Sequence, residues 1–242
     1  MVWHLEELGE LVRQKHGESQ NRFIKPLLNS VGRKYDIARY HASESRRLVD
    51  QHFTADKLEN YTKAVSMIFD RIDGKEDAVN FYYDVFSAEA HIGAYAQVLH
   101  SIFDIVGQVI ILAFDLSGTF SPKQNIYLYT VKDKLKEVQL APLVVVEIET
   151  ALSQEAFQYL SAFVNTNKHR CLVKIPHTVM SNAQEDISHG LKIQSFSFKG
   201  KVFPEKWGKQ FVGEDFKILA EWLVRIGRAI NETLASEKSE SG

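Results

Sequence analysis

Six consecutive residues, Asn165-Thr166-Asn167-Lys168-His169-Arg170, gather two amides, two cations and a histidine into one short stretch of a 242-residue chain. An imidazole titrates near neutrality. Beside Lys168 and Arg170 it has the equipment to bind a phosphodiester and to give or take a proton. If the stretch is helical, Asn165 and His169, four residues apart, share a face. Such a site needs no metal. The same residues also fit a structural reading, because cations at a helix C-terminus complement its dipole and amides satisfy its last carbonyls.

The elements that must position this stretch can be traced outward from it. Pro142 suits the first turn of a long helix whose apolar positions Val145, Ile148, Leu152, Ala156, Tyr159 and Phe163 run straight into the segment, and Pro176 forbids continuation. A second long helix is predicted from about Glu76 to Leu116, with an apolar stripe at Ile92, Tyr95, Leu99, Ile102, Val106, Ile110 and Ala113. On another face lie Gln97, Ser101, Asp104 and Gln108. Ser101, Asp104, Gln108 and Asn167 are the candidates to orient the cluster. The plainer alternative is a satisfied polar contact, with Asp104 pairing with Lys168 or Arg170.

Around these, periodicity predicts a short helix over residues 1–15, a polar connection interrupted by Pro26, and helices over Asp36–Phe53 and Asp56–Ile72 packed as a hairpin. Thr54 is the expected N-cap of the second, and Asp73-Gly74 its stop. A shorter helix covers Tyr129–Val138. Between Leu172 and Phe203 the pattern changes to β-favouring runs, LVKI, LKIQSFSF and KVF. Lys199-Gly200 has the form of a tight hairpin turn, and the apolar phase shifts between Ile193 and Phe196. A last helix spans Glu214–Leu234, and the polar tail ASEKSESG is expected to be disordered. The whole describes a mainly α fold, a helical bundle with a small peripheral β-hairpin or sheet.

Composition narrows the function classes. With 29 basic and 31 acidic side chains the net charge is −2, so nucleic acid would have to meet a local patch rather than the protein's overall charge. Residues 166–209 form such a basic stretch, with eight lysines and arginines against three acidic residues. Phe196, Phe198, Phe203 and Trp207 lie within it as stacking surfaces, or alternatively as core with edge-strand lysines. The single cysteine, Cys171, fits a reducing, cytoplasmic setting and cannot supply paired thiolates to a zinc site. No phosphate-binding loop, dinucleotide fingerprint or His-Glu-x-x-His helix is present, and no metal or other cofactor is expected. The acidic N-terminus does not have the form of a targeting segment, and Ile102–Leu116, broken by Asp104 and Gln108, suits a buried core helix rather than a membrane span.

SIFD in the Glu76–Leu116 helix, FVNTNKHR at the end of the helix from Pro142, and the later SFSFKG and INETL together resemble a bacterial group of the HEPN superfamily. The resemblance covers roughly residues 75–235. It implies a HEPN-like helical domain over 75–235 with a β insertion at about 172–204, preceded by an N-terminal helical extension over 1–74 and followed by a disordered tail over 236–242. It further implies a homodimer formed through the long helices, RNA as the ligand, and a role in defence or stress response, with an antitoxin or other protein as a further partner. Catalytic HEPN proteins are metal-independent endoribonucleases marked by an arginine, four to six intervening residues and a histidine. By that pattern His169 is the catalytic histidine, Asn165 the polar residue, and Lys168 and Arg170 phosphate contacts. The arginine's slot holds Val164, and an aliphatic side chain cannot hold a scissile phosphate. The alternative is therefore a non-catalytic dimeric scaffold that binds a protein partner.

Overall fold

The computed structural model describes residues 3–54, 57–121, 125–181 and 187–239. The fold is mainly α, 76% helical, with a small antiparallel sheet. In order the elements are α1 (Leu5–Asp50), α2 (Lys57–Ile72), α3 (Glu76–Ala113), α4 (Leu128–Glu137), α5 (Pro142–Ser153), α6 (Glu155–His169), β1 (His177–Ser181), β2 (Ile187–Ile193), β3 (Phe196–Phe198), β4 (Lys201–Phe203), β5 (Lys206–Trp207), α7 (Gly208–Gln210), a π-helical turn (Phe211–Asp215) and α8 (Phe216–Ser239). The chain divides into two compact units, one of Met1–Asp36, Val98–Gln158 and Lys217–Gly242, the other of Ile37–Gln97 and Tyr159–Phe216.

The expected polar connection after residue 15 is instead helical. α1 runs through Pro26, and only Gly17, at φ 83°, departs from helical geometry. Burial of Ile24, Leu28 and Val31 at helical spacing outweighs the hydrogen bond that Pro26 cannot make. The stop of α2 is as expected. Gly74 is left-handed, its N–H bonds to Arg71 O, and Lys75 N–H bonds to Asp70 O, the Schellman pattern. At the start, residues 55 and 56 lie outside the described residues, and Thr54 is held by Asn60, whose amide accepts from Thr54 N–H and donates to Thr54 O, each at 2.8 Å. α2 packs on β1 and β2.

The single helix expected from Pro142 breaks at Gln154 into α5 and α6. Ser153 Oγ and Gln154 Nε2 both donate to Thr150 O, at 2.8 and 3.2 Å, in place of the next backbone N–H. LVKI is not a strand. Pro176 has no N–H to give, so β1 starts at His177, while the Lys174 and Pro176 carbonyls still accept from Gln194 and Lys192. The sheet order is β1-β2-β5, and β5 at Lys206–Trp207 carries no strand signal of its own. β3 and β4 form the expected hairpin, with Lys199 and Gly200 both at positive φ as a type I′ turn requires. β2 ends at Ile193, where the apolar phase shifts. α8 continues to Ser239, so the first residues of the expected tail are helical, and 240–242 lie outside the described residues.

Within the first unit, Leu8, Ile24, Leu99, Ile102, Val106, Ile110, Ile148, Ile226 and Ile230 are wholly buried. His16 Nε2 and Gln20 Nε2 donate to the Ala113 and Leu112 carbonyls, satisfying the end of α3. Asp115, at φ 52°, then closes the helix. Among the described residues α3 alone is long and apolar enough to cross a membrane, and its stripe from Ile92 to Ala113 is buried inside the protein. Within the second unit, Tyr95, Tyr159, Phe163 and Phe211 pack edge-on or tilted at 5.4–5.6 Å between ring centres. The Tyr95 and Tyr159 hydroxyls donate to the Phe211 and Pro204 carbonyls.

Candidate functional site

The segment around His169 sits where α6 ends, in the second unit, and its residues divide into two sets. Asn165 and Asn167 are occupied with the backbone. Asn165 Nδ2 donates to Ser161 O at 2.7 Å, and Asn167 Oδ1 accepts from Val173 N–H at 2.7 Å, holding the chain as it leaves the helix. The Thr166 carbonyl receives both Arg170 N–H and Cys171 N–H. This is the capping arrangement that Asn and Thr side chains and carbonyls make at a helix end.

Lys168, His169 and Arg170, by contrast, are exposed. The Arg170 guanidinium lies 5.3 Å from the centre of the Phe198 ring, and Lys199 Nζ lies 5.5 Å from the same ring. Phe198 is on β3 and Lys199 in the β3–β4 turn. The helix end and the hairpin tip thus bring two cations to one aromatic ring, with Lys168 and His169 in the adjoining turn. Val164 is 1% exposed. The position that would carry an arginine therefore points into the hydrophobic core, where a guanidinium would lack both solvent and substrate.

Ser101, Asp104 and Gln108 belong to the first unit. Ser101 Oγ accepts from Lys34 Nζ at 3.0 Å and donates to Val98 O at 2.7 Å. Asp104 lies 3.7 Å from His100 Nδ1, one helical turn away, and Gln108 is exposed.

Histidines that look scattered in the sequence are brought together in the second unit. His177 of β1 and His189 of β2 have ring centres 5.9 Å apart, and Phe53 stacks on His177 at 5.6 Å. Phe81 meets His177 edge-on at 5.0 Å and His52 at 5.1 Å. His52 Nε2 lies 2.7 Å from Asp84 Oδ2, and His41 and His91 share a 2.8 Å contact between their Nδ1 atoms. Among the described residues no three of His, Cys, Asp and Glu are placed to hold a metal ion. No sequence spacing foretells this nest, because its members come from α1, the turn after it, α3 and two strands.

Burial, helped by neighbouring His189, pushes His177 down to about 4. Burial also lowers His189, against Asp50, which raises it. A histidine whose folded-state value lies below its unfolded value stabilises the fold above pH 6.5, and that contribution is lost as pH falls from 6.5 towards 4. The expected result is a loss of about 2 kcal/mol of unfolding free energy from this group between pH 7.5 and pH 5. Urea unfolding at the two pH values checks it, and the His177→Gln variant should show a correspondingly flatter dependence.

Comparison of the chain with protein-family models, with curated proteins and with solved structures finds no match.

Proposed function

We propose that this chain is a HEPN-like protein that binds RNA at the end of α6. The observation that carries the reading is the exposed run of Lys168, His169 and Arg170, with Arg170 and Lys199 both against the Phe198 ring. Cations contact phosphates, and an aromatic ring flanked by cations is a surface on which an unpaired base can stack. The resemblance of FVNTNKHR to the HEPN signature points to the same ligand, and to cytoplasmic defence or stress response as the setting. Cleavage is the less supported half of the family's activity here. Val164 is core, so no cation stands in the arginine's slot, and Lys168 and Arg170 beside it are not in that position.

The test is RNA binding by the purified protein across a salt series. Wild type is expected to bind mixed-sequence RNA with a steep salt dependence. Lys168→Ala with Arg170→Ala should weaken binding at least tenfold and lower the log–log salt slope by roughly 1 to 2. Both residues are exposed, so unfolding temperature should not move. RNA incubated with wild type and with His169→Ala, EDTA present, reads cleavage separately. Loss of RNA by wild type alone would make His169 catalytic. Salt-insensitive or absent binding would instead favour a protein-binding scaffold, the reading supported by buried Val164 and by the capping bonds of Asn165 and Asn167.

A further inference from the structure

α2 is built the wrong way round for a monomer. Its face towards β1 and β2 carries Asn60, Ala64 and Met67, all buried, while its most apolar residues face outward. Leu58 is 66% exposed, Ile68 49%, Phe69 63% and Ile72 78%. Soluble monomers rarely leave such a row in water. The row is also regular. Leu58, Tyr61, Val65, Ile68 and Ile72 follow one another at steps of three, four, three and four residues, the spacing of a coiled-coil seam. No charged residue interrupts it.

A short turn later, α3 adds Tyr83, 68% exposed, and Phe86, 70% exposed. Arg71 of α2 lies on the Tyr82 ring at 4.2 Å, so the end of α2 and the start of α3 are neighbours. The six exposed apolar side chains amount to roughly 800 Å², close to what each partner contributes to a stable interface of standard size. Seam spacing asks for another helix with the same spacing. A second copy of the chain supplies one, and an uncharged seam is complementary to itself, as a two-fold interface requires.

We propose that α2 and the start of α3 form a homodimer interface, with the α2 seams of two copies packed against each other. The α2 seam lies before residue 75, Tyr83 and Phe86 lie just after it, and none of these residues belongs to the proposed RNA surface, so the inference stands or falls independently of RNA binding.

Sedimentation equilibrium of the full chain tests it. Wild type at about 50 μM is expected at twice the chain mass, as a buried area of standard size supports. The double variant Ile68→Glu, Ile72→Glu should be monomeric, with association weakened at least a hundredfold and helical content unchanged. The double variant Tyr83→Glu, Phe86→Glu, on the other helix, should act in the same direction. Oxidative footprinting of wild type gives a readout without substitution, with Phe69 protected at high concentration and labelled on dilution. A monomeric wild type overturns the proposal and assigns the seam to a helix of another protein or to a lipid surface. A dimer that survives both variants overturns it as well.

Discussion

The Gly227→Ala variant is expected to lose about 3 kcal/mol or more of stability, although alanine is the better helix former by about 1 kcal/mol. A methyl group at residue 227 would lie 2.1 Å from Cδ2 and 2.3 Å from Cε2 of Trp3, so the indole must leave its place. That place is a built one. Trp3 is buried, its indole N–H donates to Asn231 Oδ1, and Asn231 Nδ2 donates in turn to His4 O and Glu7 Oε2. Displacing the ring therefore releases the hydrogen bonds that tie the start of α1 to α8. Urea unfolding of Gly227→Ala, Trp3→Ala and the double variant checks the mechanism. If the methyl acts by expelling Trp3, the double variant costs little more than Trp3→Ala alone. A full sum of the two losses would mean that Gly227 matters for another reason.

The second large effect is expected at Lys206 and Asp215. Their Nζ and Oδ2 atoms are 2.7 Å apart, and both side chains are less than a tenth exposed. Lys206 Nζ also sits 4.4 Å from the centre of the Tyr159 ring. Removing one partner leaves an uncompensated charge in the core, so Asp215→Ala should cost about 3–5 kcal/mol. Replacing both, Lys206→Met with Asp215→Leu, should recover most of that loss. Denaturant unfolding of the single and double variants measures the difference. Failure of the double replacement to recover stability would show that the pair holds the β5 end in register rather than merely compensating itself. Burial and the negative charge of Asp215 both raise the Tyr95 and Tyr159 phenols, so these hydroxyls remain hydrogen-bond donors throughout ordinary pH.

Much of this architecture was legible because it repeats. The stripe from Ile92 to Ala113 has helical period, and the α3 helix buries it as expected. Lys199-Gly200 marked a hairpin because left-handed backbone is needed at both positions. What stayed hidden depends on contacts between distant segments. Pro26 looks like a break until Ile24, Leu28 and Val31 have a core to enter, whereas Gly17 does kink the helix. The histidine nest has no local signature. The sequence of α2 presents a long apolar stripe and a smaller mixed one at Asn60, Ala64 and Met67, and nothing local says that the sheet takes the smaller. At the candidate site, Val164 was legible as apolar, but only its burial shows that the slot is turned away from solvent. Asn165 and Asn167 carry the chemistry of a site and are occupied in ending a helix.

The π-helical turn at Phe211–Asp215 has a consequence for how this chain tolerates insertion and deletion. A π turn behaves as an α-helix with one residue too many, so it offsets the phase of the residues on either side by about 100°. A chain one residue shorter here would gain a regular helix, yet residues 208–210 would rotate against the sheet that Gly208 now fits, with Leu191 only 3.2 Å from where its side chain would begin. The irregular turn is a frame correction. It lets Gly208 stay against Leu191 while Phe211 and Val212 stay buried.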